Sequence, residues 1–211
     1  MMQFNHVQKW YASHLALDIP SLSLDKGIYW LQGENGSGKT TFLKMIAGLH
    51  PFNGDILVSG ISIKKHRVNF LRLVNYAEAE PLYPPFLTAK DMVELYCQTM
   101  KSDIESTRAL LAQLHIIDSY QKPLGAWSSG MLKKLSLALA FTGNPSWILL
   151  DEPLITIDAE AIRLTEELIN TWHDAKNISF IITSHQPFRE HSLRITRKMF
   201  AGDQTISILH D

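Results

Sequence analysis

A chain of 211 residues, 45% hydrophobic and 19% charged, fits one ordinary domain with a sizeable core, which excludes a large multidomain machine and a disordered polypeptide. Its 20 Lys plus Arg against 21 Asp plus Glu leave a formal net charge of −1. No overall basic field draws it to anionic lipid, no nucleic-acid partner is expected, and any phosphate binding must be local.

The N-terminal MMQFNHVQKW lacks the apolar run of a signal peptide. Residues 1–32 read as short strands, with alternation in LALDI and an apolar run in IYWL, and they predict an antiparallel start. A glycine-rich turn then leads into a short helix from Thr40 to Gly48, and Asn53-Gly54 turns into another strand, DILVSG. From about residue 78 to 142 the character is helical. In STRALLAQLHII, Leu110, Leu111, Leu114 and Ile117 fall on one helical face, and Met131 to Phe141 repeats the pattern through Leu132, Leu135 and Leu139. This stretch predicts a helical lobe inserted between strands. Its one cysteine, Cys97, can make no internal disulfide. The richest apolar stretch, LSLALAFTGNPSWILL, is interrupted by Gly143, Asn144 and Pro145, short of the ~18 apolar residues that a membrane span needs. The expected location is therefore cytoplasmic, with any membrane spans on another chain. After Pro145 come the strand WILLD, a helix over 159–172 and the strand ISFIITS. Continuous apolar strands alternating with helices predict parallel pairing and the α/β class.

The strongest local signal is Gly33-Glu34-Asn35-Gly36-Ser37-Gly38-Lys39-Thr40, followed by Thr41, which fits G-x-x-x-x-G-K-[ST] between a predicted strand and a predicted helix. Glycines let backbone N–H groups curl around a β-phosphate, and the positive end of the following helix faces the same anion. Lys39 is placed to reach the β- and γ-phosphates and the Thr40 hydroxyl to ligate Mg²⁺. The second signal, Trp147-Ile148-Leu149-Leu150-Asp151-Glu152-Pro153, is a buried strand ending in two carboxylates. Ligands in open α/β sheets sit beyond the carboxyl ends of the strands, so Asp151 can approach the Mg²⁺ shell and Glu152 can act as general base for water.

The third signal, Trp127-Ser128-Ser129-Gly130-Met131 at the head of the helix that leads into WILLDEP, is where the chain resembles the ATP-binding cassette ATPases of ABC transporters. That family carries Leu-Ser-Gly-Gly-Gln here, so Ser128 and Gly130 match while Trp127, Ser129 and Met131 depart. The resemblance implies that Ser128, Ser129 and Gly130 contact the γ-phosphate held by a second subunit. It further implies that Asp158 is the aspartate of the D-loop, that His185 is the switch histidine beside Glu152, and that Tyr11 stacks on adenine in preference to Trp10. The family's Q-loop glutamine is missing from Leu73-Val74-Asn75-Tyr76-Ala77-Glu78-Ala79-Glu80-Pro81-Leu82-Tyr83, where Glu78 or Glu80 could substitute and ungapped alignment offers Ala79.

By this resemblance the whole chain, residues 1–211, is one cassette domain: a P-loop NTPase core with a mostly parallel sheet, an N-terminal antiparallel β region and an inserted helical lobe. The implied protein binds ATP and Mg²⁺ and hydrolyses ATP. It pairs head to tail with a second cassette, in the simplest case another copy of itself, and powers export through permease subunits at the inner face of the cell membrane. Short features resemble two subtypes, since the Asp151-Glu152-Pro153 and Thr183-Ser184-His185-Gln186-Pro187 segments look like cytochrome c maturation haem exporters and Ser-Ser-Gly-Met looks like ABC-2 exporters. The alternative function is a soluble regulatory nucleotide sensor with little turnover.

Overall fold

The computed structural model describes residues 1–184, 188 and 192–209. β1 (Met2–Tyr11) and β2 (His14–Leu24) pair antiparallel, with Met2 opposite Leu24 and Tyr11 opposite His14. The burial of Met2 and Phe4 should continue at His6, yet it passes to Val7 because His6 adopts φ 49° and bulges the strand. Gly54, at φ 82°, lies against that bulge: a Cβ there would sit 2.1 Å from the His6 carbonyl oxygen. β3 (Ile28–Gln32) corrects the expectation of an antiparallel start through residue 32, because it leaves for a second sheet in which it is flanked by parallel strands. β4 (Asn53–Val58) and β5 (Ile61–Ser62) complete the first sheet in the order β2-β1-β4-β5.

The second sheet adds β6 (Val74–Ala77), β7 (Trp147–Leu150), β8 (Ser179–Thr183), β9 (Arg197–Gly202) and β10 (Thr205–Ile208) in the order β10-β9-β3-β8-β7-β6. Its pairings are parallel except the β9–β10 hairpin. Period-two alternation gives β3, β7 and β8 two apolar faces. Tyr29, Leu31, Trp147, Leu149 and Ile181 join the core shared with the first sheet and with α1 (Lys39–Ile46), where Phe4 stacks on Phe42 at 5.1 Å. Ile28, Ile148, Leu150, Phe180 and Ile182 face the opposite core.

After the short α2 (Arg67–Leu71), the lobe holds α3 (Ala89–Met100), α4 (Ile104–Gln113) and α5 (Ser129–Ala140) around Val93, Leu111, Leu114, Trp127 and Leu135. Two expectations shift here. The helical face expected through Ile117 stops at Gln113, because His115 turns to φ 57° and Ile117 starts a 3₁₀ turn. α5 begins at Ser129 rather than after Met131, with Ser128 capping it. One side of α5 closes the lobe while Leu137, Ala140 and Phe141 pack beneath the parallel sheet. α6 (Ala159–Lys176) runs past the expected end at 172 to Asn177, which supplies a left-handed cap at φ 57°. Among the described residues no helix is long and apolar enough to cross a membrane.

Candidate functional site

Parallel pairing brings the carboxyl ends of β3, β7 and β8 to one sheet edge. The loop after β3 carries Gly33 to Gly38, that after β7 carries Asp151 and Glu152, and β8 ends at Thr183 between them. Asn35, Gly36, Gly38, Lys39, Thr40, Thr41, Asp151 and Glu152 line one cleft. Lys39 Nζ donates to the carbonyls of Gly33 and Glu34 at 2.8 Å each, which folds the loop around its own lysine. Burial pulls the Lys39 ammonium below its ordinary pKa, with the Glu152 and Asp151 carboxylates acting in the opposite direction.

The loop fits a phosphate-bearing ligand on three counts. α1 starts from Gly38 at φ 98° without a side-chain cap, whereas Thr88, Asp103, Ser128 and Asp158 cap α3, α4, α5 and α6. Its first amides are thus left for an external acceptor. Gly36, at φ 80°, faces open space where a side chain would intrude on whatever enters. The Ser37 hydroxyl is buried and has no hydrogen-bond partner among the described residues.

At the end of β7, Asp151 is 1% exposed and held from several sides. Its Oδ1 accepts from Thr183 Oγ1 at 2.7 Å and its Oδ2 from the Tyr76 hydroxyl at 3.2 Å. Burial, then the Asp151 charge, drives the Tyr76 phenol well above its ordinary pKa. Thr183 Oγ1 also accepts from the Glu152 amide at 2.9 Å. Glu152 sits at φ 46°, a left-handed conformation that costs a non-glycine residue ~1–3 kcal/mol and persists because its surroundings impose it. The sequence reading missed Thr183; its signal is a polar residue closing an otherwise apolar strand.

Tyr11 lines a neighbouring cleft with His14, Gly36, Ser37, Phe200 and Gln204, and Trp10 is not among that cleft's lining residues. The Tyr11 hydroxyl lies 3.0 Å from His50 Nδ1 and 3.4 Å from Thr41 Oγ1. Burial, helped by Lys9 and Lys44, holds His50 below its ordinary pKa. Glu78 and Glu80 are not among the lining residues of the phosphate-loop cleft; Glu78 lines a separate groove with Leu49, Tyr76, Leu82 and Leu95.

The structure does not bring Ser128, Ser129 and Gly130 to the phosphate loop, since neither cleft counts them in its lining. They sit at the head of α5, where Ser128 Oγ accepts from the Met131 amide at 3.2 Å. Gly130 has no room for a side chain: a Cβ would lie 2.7 Å from the Thr156 carbonyl oxygen. Asp158 accepts from the Ala161 amide at 2.9 Å and pairs with Lys134 Nζ at 2.5 Å. That lysine hydrogen bond, then the amide, lowers the Asp158 carboxyl to about 2. His185 lies outside the described residues.

Lys133 belongs to no motif of the sequence. It is fully buried on α5, and its Nζ donates to the carbonyls of Glu78 at 2.6 Å, Ala79 at 3.2 Å and Asp151 at 2.8 Å. Burial lowers its pKa to about 8 against the pull of Asp151, Glu152, Glu78 and Glu80.

The family model described as ABC transporter matches residues 17–155. The chain is 32% identical over 189 residues to the ABC transporter ATP-binding protein YtrB of Bacillus subtilis (strain 168), covering 88% of this chain and 64% of that protein. It is 29% identical over 204 residues to the Nod factor export ATP-binding protein I of Burkholderia orbicola (strain AU 1054), covering 94% of this chain and 66% of that protein. The chain thus spans just under two thirds of the length of these relatives. In fold it is similar to a dimeric ATP-binding cassette in a post-hydrolysis state with ADP and Pi, at a TM-score of 0.84, 18% identity and full coverage of both chains.

Proposed function

The chain belongs to the ABC transporter family, and from that premise we propose that it is the ATP-binding and ATP-hydrolysing subunit of a transporter, working with separate permease subunits. The observation that carries this reading is the single cleft that joins Lys39 and Thr40 to Asp151 and Glu152. Gly33 to Thr41 cradle the triphosphate through backbone amides, with Lys39 exchanging its loop carbonyls for phosphate oxygens. Thr40 and Asp151 are the residues that would hold Mg²⁺, which supplies charge neutralisation at the β- and γ-phosphates when bound. Glu152, the second carboxylate lining that cleft, takes the proton of the attacking water. Tyr11 offers its ring to the base.

Two copies meet head to tail, so that Ser128, Ser129 and Gly130 of one reach the nucleotide of the other, with Asp158 beside the seam and His185 completing the γ-phosphate site. What supports this is that residues 128–130 stand apart from the cleft of their own chain. The apolar groove between core and lobe, with Leu82 90% exposed and Leu49 and Leu95 more than half exposed, supports docking of a permease segment at the inner face of the cell membrane. The likeness to a Nod factor export protein supports export as the direction. We further propose that residues 1–211 act as one cassette.

A second reading, a nucleotide sensor with little turnover, draws on the absence of glutamine from residues 73–83 and of Glu78 and Glu80 from the lining of the cleft. Phosphate release by the purified chain with Mg²⁺ and ATP separates the two. Turnover is expected, and Glu152→Gln should lower it about 10²- to 10⁴-fold while ATP still binds. A wild-type chain that binds ATP and releases no phosphate would establish the sensor instead.

A further inference from the structure

Lys133 carries a charge into the interior, where its hydrogen-bond acceptors are backbone carbonyls and the carboxylates of Asp151, Glu152, Glu78 and Glu80 act on it through space. A buried ammonium is tolerated only when its lost hydration is replaced by good hydrogen bonds, and a lysine has three donors to place. Here three backbone carbonyls receive them, those of Glu78, Ala79 and Asp151, between 2.6 and 3.2 Å. These acceptors belong to two segments that are not adjacent in sequence. Residues 78 and 79 follow β6, and Glu78 lines the exposed apolar groove; Asp151 follows β7 and lines the phosphate-loop cleft. Lys133 itself stands on α5, the helix headed by Ser128 to Gly130.

We infer that Lys133 is a positioning residue: its ammonium fixes the groove-lining backbone at residues 78 and 79 against the backbone of Asp151, holding the two carboxylates at the end of β7 in working register with the groove. The two strands are paired only up to Ala77 and Leu150, so past their ends the ladder no longer sets their separation. Beyond the Asp151 amide bond to the Ala77 carbonyl at 3.0 Å, Lys133 joins these loop backbones through its three hydrogen bonds. Of the segment's side chains, Tyr76 reaches the Asp151 carboxylate, whereas Lys133 holds the backbone carbonyls of residues 78, 79 and 151. A displaced groove segment would therefore move Asp151 through Lys133. For its catalytic consequence this inference rests on the hydrolytic reading above; for its structural consequence it does not.

The test uses the full chain with Mg²⁺ and ATP. Lys133→Met keeps the stem and removes the donors, and it should lower kcat about 10- to 100-fold with KM for ATP within about twofold, because misplacement of catalytic groups costs rate rather than binding. Lys133→Arg, which restores cationic donors, should recover most of that loss. In native-state amide exchange, the Met variant should exchange faster at residues 78–80 and 151–152 while the remainder of α5 stays protected. Turnover within twofold of wild type with unchanged exchange at those amides overturns the inference. So does a loss of kcat accompanied by faster exchange along all of α5, which would mark plain loss of packing. If Lys133→Met does not fold, Lys133→Gln is read by the same thresholds. A wild-type chain without turnover would overturn the hydrolytic reading alone, and the exchange measurement would still decide the placement of Lys133.

Discussion

Thr183 Oγ1 donates to the Asp151 carboxylate and accepts from the Glu152 amide, so one hydroxyl fixes both acidic residues at the end of β7. Thr183→Val preserves the shape of the side chain and removes both hydrogen bonds, leaving a buried carboxylate oxygen and a buried N–H without that partner. A destabilisation of about 1–3 kcal/mol is expected in urea denaturation, with turnover reduced, while Thr183→Ser should stay close to wild type. A Val variant as stable as wild type would mean that Thr183 holds neither group. At this scale the sequence was legible wherever a side chain's identity carries the chemistry: Asn35, Gly36, Gly38 to Thr41, Asp151 and Glu152, all singled out from the sequence, line one cleft. It was illegible where a partner is a bare carbonyl. Nothing in the letters around Glu78 and Ala79 announces an acceptor for Lys133.

α6 shows how one residue serves an element twice. Asp158 caps the helix through the Ala161 amide and accepts from Lys134 of α5, whose side chain is only 11% exposed. Asp158→Asn isolates the second role, since asparagine caps about as well as aspartate. The Asp158 carboxyl is lowered to about 2 in the fold against about 4 when unfolded, so the pair stabilises fully above the unfolded value and fades as pH falls through the folded one. With Asp158 more than half exposed, about 0.2–1 kcal/mol is the scale to expect. Chemical denaturation should therefore show the Asn variant less stable than wild type at pH 5 and the difference shrinking toward pH 2; a difference constant across that range would remove the ion pair from the account. Elements were legible where a continuous apolar run or a capped helical start sets them, as in β8 and at the beginning of α6. They were not where backbone geometry intervenes, as with the His6 bulge in β1 and the left-handed His115 that ends the face predicted through Ile117.

The molecule as a whole places the two signals that the proposed function assigns to nucleotide on different parts of the fold. The phosphate loop and acidic pair belong to the parallel sheet, while residues 128–130 belong to a helix shared with the lobe. A Cβ at Gly130 would meet the Thr156 carbonyl and Lys134 pairs with Asp158, so the head of α5 packs against the loop after β7. Under the proposed head-to-tail pairing, closure uses a second chain. In Glu152→Gln, where ATP persists, sedimentation should report a monomer without nucleotide and a dimer with Mg²⁺ and ATP. Ser128→Asp added to that variant separates geometry from charge: aspartate keeps the α5 cap now made to the Met131 amide, so folding should be preserved, but it sets a carboxylate against a triphosphate. The double variant should bind ATP and remain monomeric. If it dimerises as readily as Glu152→Gln alone, the head of α5 does not face the partner's nucleotide and the pairing must use another surface.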